Sequence, residues 1–144
     1  MDIDHKAPLS GSKDVVIDAP VENVWAVLTT IDRWTEWQPD VSAAKLDGPL
    51  AVGSTFRWKA RGLTIVSTIQ AVEPERQIGW TGKAIGMQAL HLWQLIPQNG
   101  GTRVIVAESL TGWMVHLLKF FDPAFLEKSL TGSLQALKAR AERP

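Results

Sequence analysis

The stretch MQALHLWQLIPQNGGTRVIVAESL, residues 87–110, contains two runs of alternating polarity separated by a turn signal. Asn99-Gly100 at its centre is typical of a two-residue β-hairpin loop. With these two residues as the loop, His91 falls opposite Glu108. Two apolar pairs are predicted on the same face, because side chains along a strand repeat every two residues: Trp93 with Val106 and Leu95 with Val104. A titratable pair is therefore expected within an apolar wall.

Earlier segments continue this alternation and predict further strands of the same antiparallel sheet. The predicted strands are 13–17, 41–47, 54–60, 63–72, 77–81, 88–96 and 103–110. We assume two-residue loops at 61–62 and 74–75 and a four-residue loop at 83–86. The loops then predict three pairings: Trp58 with Ile65, Ile69 with Trp80, and Ile78 with His91. Apolar residues collect on one face and polar residues on the other, which favours a sheet with one solvated face.

Helical periodicity appears on both sides of the strand region. Apolar residues at three- and four-residue spacing predict a helix from Pro20 to about Thr30, and residues 32–38 predict a second, short helical turn that ends before Pro39. Leucines at 126, 130, 134 and 137 predict a long amphipathic helix over residues 123–142. Residues 112–121 form an apolar lead-in, expected as a separate helical turn or two. Residues 1–12 are expected to be a flexible leader, and residues 13–144 a single α+β domain.

Composition excludes several classes of function. The chain has 144 residues with 15 basic and 15 acidic side chains, so no net charge attracts nucleic acid or an anionic membrane. Cysteine is absent, which removes disulfides, thiolate nucleophiles and cysteine-based metal sites. No apolar run approaches the length of a membrane span, and no signal peptide is recognised, so a cytoplasmic protein without membrane insertion is expected.

Three segments together resemble a known family. They are IDAPVENVWAVLTTIDRWTEWQPDV near the start, GMQALHLWQLIPQNGGTRVIVAESLTG in the middle and LxxLKARAE at the end. The order of elements and these segments resemble the polyketide cyclase/dehydrase-like branch of the START-type (SRPBCC) superfamily, from about Lys13 to Glu142. The resemblance implies a helix-grip fold, in which a curved antiparallel sheet wraps around a long C-terminal helix and leaves a cavity between them. Aromatase/cyclases and lipid or hormone carriers both belong to that superfamily, so the fold alone does not select a function.

Tryptophan is the main candidate for the lining of such a cavity. The chain has seven Trp and no Tyr, which favours large apolar surfaces over phenolic hydroxyls. Trp58, Trp80 and Trp93 are predicted to point from the sheet toward the helix, and Trp34 and Trp37 to close one end. These tryptophans would either stack on a flat or greasy ligand or fill a core. Trp113 either gates the cavity or anchors the lead-in segment.

The pair of His91 and Glu108 carries the chemical interest. Neither charge is cheap to bury, so each is expected to be satisfied by the other or by a ligand. We interpret the pair as a polar anchor in the pocket. It could also act catalytically, with His91 as general acid or base oriented by Glu108 in an aldol-type cyclisation or a dehydration. A third interpretation is a structural pair that pins two strands.

No other constellation predicts chemistry. His5 and His116 have no partner at metal-ligand spacing, so no metal and no cofactor are expected. Arg57, Lys59 and Arg61 are interpreted as a solvated outer face. The outer apolar residues Leu90, Leu92 and Ile105 are candidates for a homodimer surface. Two function classes stay open: binding of a small hydrophobic or aromatic, lipid- or polyketide-like molecule, and an enzyme of the cyclase/dehydratase kind.

Overall fold

A computed structural model describes residues 1–144 and contains one seven-stranded antiparallel sheet with three α-helices and a 3₁₀ helix. The strands are β1 (Leu9–Ile17), β2 (Val41–Asp47), β3 (Thr55–Ala60), β4 (Leu63–Glu73), β5 (Gln77–Ala84), β6 (Met87–Gln98) and β7 (Gly101–Thr111). The helices are α1 (Val21–Thr29), the 3₁₀ helix (Ile31–Glu36), α2 (Trp113–Phe121) and α3 (Phe125–Ala141). The strand order is β1-β7-β6-β5-β4-β3-β2, so β1 and β2 form the edges. This is the helix-grip arrangement expected from the sequence.

The central hairpin has the predicted register. His91 pairs with Glu108, Trp93 with Val106 and Leu95 with Val104. Asn99 and Gly100 both have positive φ, 50° and 80°, as a two-residue loop that matches the strand twist requires. The pairings of Trp58 with Ile65 and of Ile69 with Trp80 are also confirmed.

The predicted pairing of Ile78 with His91 is wrong. Strands β5 and β6 extend to Ala84 and Met87, so the loop has two residues rather than four, and Ile78 pairs with Trp93 while Trp80 pairs with His91. The error is a shift of two residues. Because side chains alternate with period two, this shift leaves every residue of β6 and β7 on its predicted face. On β4, a separate register shift after Ile69 places Val72 on the inner face, where Ala71 was expected.

Helix α3 covers the inner face of the sheet and closes the core. Leu126, Leu130, Leu134 and Leu137 are all buried, as their spacing predicts. Helix α1 and the 3₁₀ helix complete the layer, with Leu28, Ile31 and Trp34 almost fully buried. None of the helices is both long and apolar enough to cross a membrane.

The N-terminal residues are not the loose leader expected from their polarity. Strand β1 begins at Leu9 rather than Lys13, and Leu9 pairs with Leu110 of β7. Upstream of it, Ile3 is buried and the Asp4 amide donates a hydrogen bond of 3.0 Å to Ser109 Oγ on the outer face of the sheet. Met1 and Leu92 both lie against Gly79, and Leu92 is only 6% exposed. The N-terminal segment therefore covers part of the outer apolar surface that was a candidate for a homodimer contact.

Candidate functional site

A cavity of about 180 Å³ lies between the inner face of the sheet and α3. Six of the residues expected to contact a ligand line it: Trp34, Trp58, Trp80, His91, Trp93 and Glu108. Trp34 belongs to the 3₁₀ helix, and the other five residues belong to β3, β5, β6 and β7. Their side chains converge because they all lie on the inner face of the sheet. Apolar side chains from β2, β4 and α3, including Val41, Ile65 and Ala136, form another part of the wall.

Aromatic rings form one end of the cavity. Trp34 meets Phe56 and Trp58 edge-to-face, with ring centroids 5.5 and 5.4 Å apart, and lies 5.6 Å from Trp80. These are the separations at which aromatic pairs attract each other. The indole N–H of Trp34 donates to the Leu28 carbonyl at 2.9 Å, and that of Trp58 to Ser67 Oγ at 3.0 Å. Both rings are thus fixed in place.

The titratable pair lies beside this aromatic end. His91 Nδ1 is 3.2 Å from Glu108 Oε2, and the two side chains are only 10% and 15% exposed. The His91 ring lies 5.0 Å from Trp80 and is nearly parallel to Trp93 at 5.6 Å, with an interplanar angle of 9°. The imidazole therefore contacts two indoles, and its Nδ1 lies nearest the carboxylate.

Two buried polar atoms of this wall have no hydrogen-bond partner: His91 Nε2 and Trp93 Nε1. An Nδ1–H directed at Glu108 leaves Nε2 as an acceptor in the neutral imidazole and as a donor in the imidazolium. The indole N–H of Trp93 is a donor in every state. Both residues line the cavity, so its wall contains an unpartnered donor together with an unpartnered acceptor or second donor, groups that a hydroxyl or a carbonyl oxygen could complement.

The mouth of the cavity involves residues that sequence reasoning missed. Arg61, expected on a solvated face, lines the cavity, donates to Asp40 Oδ2 at 3.0 Å, and lies over the ring of Phe125 at 4.8 Å. Arg61 and Asp40 meet because Val41 of β2 pairs with Ala60 of β3. The periodicity of either strand does not show this contact. Only the additional assumption that the predicted strands 41–47 and 54–60 pair as a hairpin would have brought Asp40 and Arg61 together. On α3, Ser129, Gly132 and Ser133 line the same region.

Two of the predicted ligand residues lie outside this cavity. Trp37 is buried away from it, beside a separate shallow depression that includes Arg33 and Arg140. Trp113 is 63% exposed and contacts Gly86 at the turn between β5 and β6, so it does not gate the cavity in this structure.

Comparison with known families identifies one model that matches nearly the whole chain. Residues 9–142 match the model described as polyketide cyclase / dehydrase and lipid transport. No curated protein matches the chain.

Several solved structures share the fold at low sequence identity. The Zhui aromatase/cyclase of a Streptomyces species superposes with a TM-score of 0.81 at 16% identity, covering 94% of each chain. A START superfamily protein of Mycobacterium smegmatis gives 0.73 at 17% identity, covering 92% of this chain and 97% of the other. A hypothetical protein of Helicobacter pylori gives 0.85 at 16% identity, covering 96% and 90%. At these identities the likeness establishes the fold alone.

Proposed function

The chain belongs to the polyketide cyclase/dehydrase and lipid transport family, and we propose that it binds a flat apolar molecule bearing a hydroxyl or carbonyl group in the cavity between its sheet and α3. The observation that carries this proposal is the pair of unpartnered buried atoms, His91 Nε2 and Trp93 Nε1. Buried polar atoms without a partner are rare because each costs free energy. A ligand with one oxygen beside the two rings would satisfy both.

The volume of the cavity limits the size of the ligand. An apolar protein cavity of about 150 Å³ accommodates benzene, and this cavity has about 180 Å³ with a mouth at Arg61 and Gly132. A molecule of one or two fused rings fits that space, and its faces would contact Trp80 and Trp58. A longer lipid chain would have to extend through the mouth.

Tryptophan fluorescence tests this proposal. The protein is titrated with 2-naphthol, naphthalene and a medium-chain fatty acid, using Trp113→Phe as the parent because Trp113 is exposed and off the cavity. We expect saturable quenching with 2-naphthol, about tenfold weaker binding of naphthalene, and the loss of that preference in His91→Ala. Absence of saturable quenching by every ligand would contradict the proposal, as would an unchanged preference in the variant.

A catalytic role is the second candidate, and the orientation of His91 favours it. His91 lines the cavity, and with Nδ1 3.2 Å from Glu108 the unpartnered Nε2 is the ring nitrogen left to accept a proton from a carbon next to a carbonyl, or to return one to a leaving hydroxyl. An aldol-type cyclisation and a dehydration both need such transfers. An aryl β-hydroxyketone is a suitable probe, because loss of water forms a conjugated enone that absorbs in the near ultraviolet.

The two candidates differ in what the loss of His91 removes. For an enzyme, His91→Gln should lower kcat by about 100-fold or more with little change in KM, because the amide can hydrogen bond but cannot exchange a proton at neutral pH. For a binding protein, the same variant only weakens affinity, and no dehydration above the background rate is seen with the original protein.

A further inference from the structure

Five large apolar side chains project into solvent from one part of the surface. They are Ile85 (78% exposed), Trp113 (63%), Leu117 (51%), Phe120 (79%) and Phe121 (78%). They make up half of the strongly exposed large hydrophobic residues of the chain, and all lie on α2 or on the adjoining β5–β6 turn. We call this set the α2 patch. A cluster of exposed apolar side chains of this kind marks a contact surface.

The patch is held in place by a close approach of backbone. Gly112 packs against the carbonyl of Gly86, and the Met114 amide donates to the same carbonyl at 3.1 Å. Val115 is fully buried beneath the helix, while Trp113 lies on Gly86, the residue after Ile85. Helix α2 is thus fixed by one buried side chain and its first turn, and it presents its apolar residues outward.

The charged residues around the α2 patch indicate which kind of partner it binds. Lys83, His116 and Lys119 lie on or beside the patch, and all three are exposed. The acidic residue next to the patch, Asp122, is paired with Lys128. The net charge of the whole chain is zero, so this group of basic side chains is a local feature that the net charge does not reveal. Apolar aromatic tips with a rim of basic side chains are the pattern of an interfacial, membrane-surface helix.

A second copy of the chain fits the patch less well. A stable protein interface buries about 800 Å² on each partner and involves roughly 20–30 residues a side. The patch consists of only five side chains, and those of Phe120 and Phe121 are almost four-fifths exposed to solvent. The two rings contact each other edge-to-face at 5.1 Å, and such a projecting pair suits insertion among lipid chains better than a flat, shared contact.

We propose that the α2 patch docks on the surface of an anionic phospholipid bilayer, with the rings of Trp113, Phe120 and Phe121 at the headgroup boundary and Lys83 and Lys119 on the lipid phosphates. None of the five patch residues lines the cavity, although Phe125, four residues after Phe121, does. This proposal depends only on the surface and holds whether or not the cavity binds the ligand proposed above.

Vesicle flotation tests the docking surface. The full chain is mixed with vesicles of phosphatidylcholine alone or of phosphatidylcholine with phosphatidylglycerol. We expect flotation with the anionic vesicles, loss of at least about tenfold in affinity for Phe120→Ser/Phe121→Ser, and weaker binding at high salt or for Lys119→Glu. The matched control is Val52→Ser, which removes a 64% exposed apolar side chain outside the patch and should float like the original protein.

Trp113 supplies a second readout. Its emission should shift to shorter wavelength with anionic vesicles and be quenched by lipids brominated on the acyl chain, and Trp113→Phe should abolish the shift. The proposal is overturned if the original protein does not float with anionic vesicles, or if the double serine variant, shown folded by circular dichroism, floats equally well. Concentration-dependent dimerisation lost in that variant, without vesicle binding, would instead assign the patch to a second copy of the chain.

Discussion

The contact between His91 and Glu108 follows from a two-residue loop at the far end of the hairpin. Asn99-Gly100 sets the register, and the register alone puts the imidazole and the carboxylate opposite each other on β6 and β7. The same alternation places Trp93 two residues beyond His91 on the same face. The chemistry of the wall is therefore local in origin.

Removing His91 should destabilise the fold as well as change the cavity. In His91→Ala the carboxylate of Glu108, 15% exposed, loses the ring nitrogen that lies 3.2 Å from it, and we expect a cost of about 3 kcal/mol in the free energy of unfolding because a mostly buried charged group is left without a partner. Glu108→Ala should cost a similar amount, and the double variant less than the sum, by about 1–3 kcal/mol. Urea denaturation measures all three. Additive costs would show that the two side chains do not interact.

Residues at the mouth and on α2 could not be placed in the same way. Arg61 meets Asp40 only through the pairing of β2 with β3, across residues 48–54, a connection whose path the local pattern does not determine. The position of Trp113 depends on the direction in which α2 leaves β7, which is set by the contact of Gly112 with Gly86. Such contacts between elements have no signature in the periodicity of either one.

At the level of strands and helices, one predicted loop was too long by two residues. An even error of this kind does not change which face of the sheet a side chain occupies. The β5–β6 loop has two residues instead of four, which moves Ile78 from His91 to Trp93 without exchanging the faces. On β4 the register shifts between Ile69 and Ala71 and compensates for the longer turn after Glu73, so the pairing of Ile69 with Trp80 is preserved. The inner wall was thus predictable although two connections were not.

Two glycines with positive φ should differ strongly in their tolerance of alanine. Gly112 has φ 116°, and a methyl group there would strike the backbone of Gly86 and Met87. We expect Gly112→Ala to cost about 3 kcal/mol or more and to displace α2. At Gly100, with φ 80° and open space around it, only the conformational cost of about 1 kcal/mol applies. Thermal and urea unfolding compare the two, and equal costs would contradict the proposed backbone contact.

At the scale of the whole molecule, polar contacts fix both ends of α3. The start of α3 contacts β1, and the end of α3 contacts Asp18, the residue that follows β1. Lys13 of β1 binds Glu127 in the first turn at 2.8 Å, and the Asp18 amide donates to Glu142 just after the last turn at 2.7 Å. The hydrogen bond from Lys13 lowers the pKa of Glu127, and the hydrogen bonds from Lys138 and then the Asp18 amide lower the pKa of Glu142. Both carboxylates thus favour the docked helix in their ionised form.

Low pH should therefore weaken the attachment of α3 to the rest of the fold. A carboxyl group whose pKa is lower in the folded state stabilises the fold fully above its usual value of 4.5, and that contribution is lost as the pH falls through the lower, folded-state value. We expect the melting temperature to fall below pH 4.5, with a shallower fall in Glu142→Gln. Calorimetry across the acid range measures this, with Glu75→Gln as an exposed control for which the fall should be unchanged. An identical pH dependence in all three proteins would contradict the role of Glu142.

The most direct test of the central claim observes the indole N–H of Trp93. A ¹⁵N-labelled sample should show one indole signal for each of the seven tryptophans, and Trp93→Phe assigns the relevant one. We predict that 2-naphthol moves the Trp93 signal to higher proton frequency, because this unpartnered N–H acquires a hydrogen bond, while naphthalene does not and the Trp113 signal stays in place with both. If 2-naphthol saturates the protein without moving the Trp93 signal, or does not bind, then the two orphaned atoms of the wall are not the anchor of a ligand.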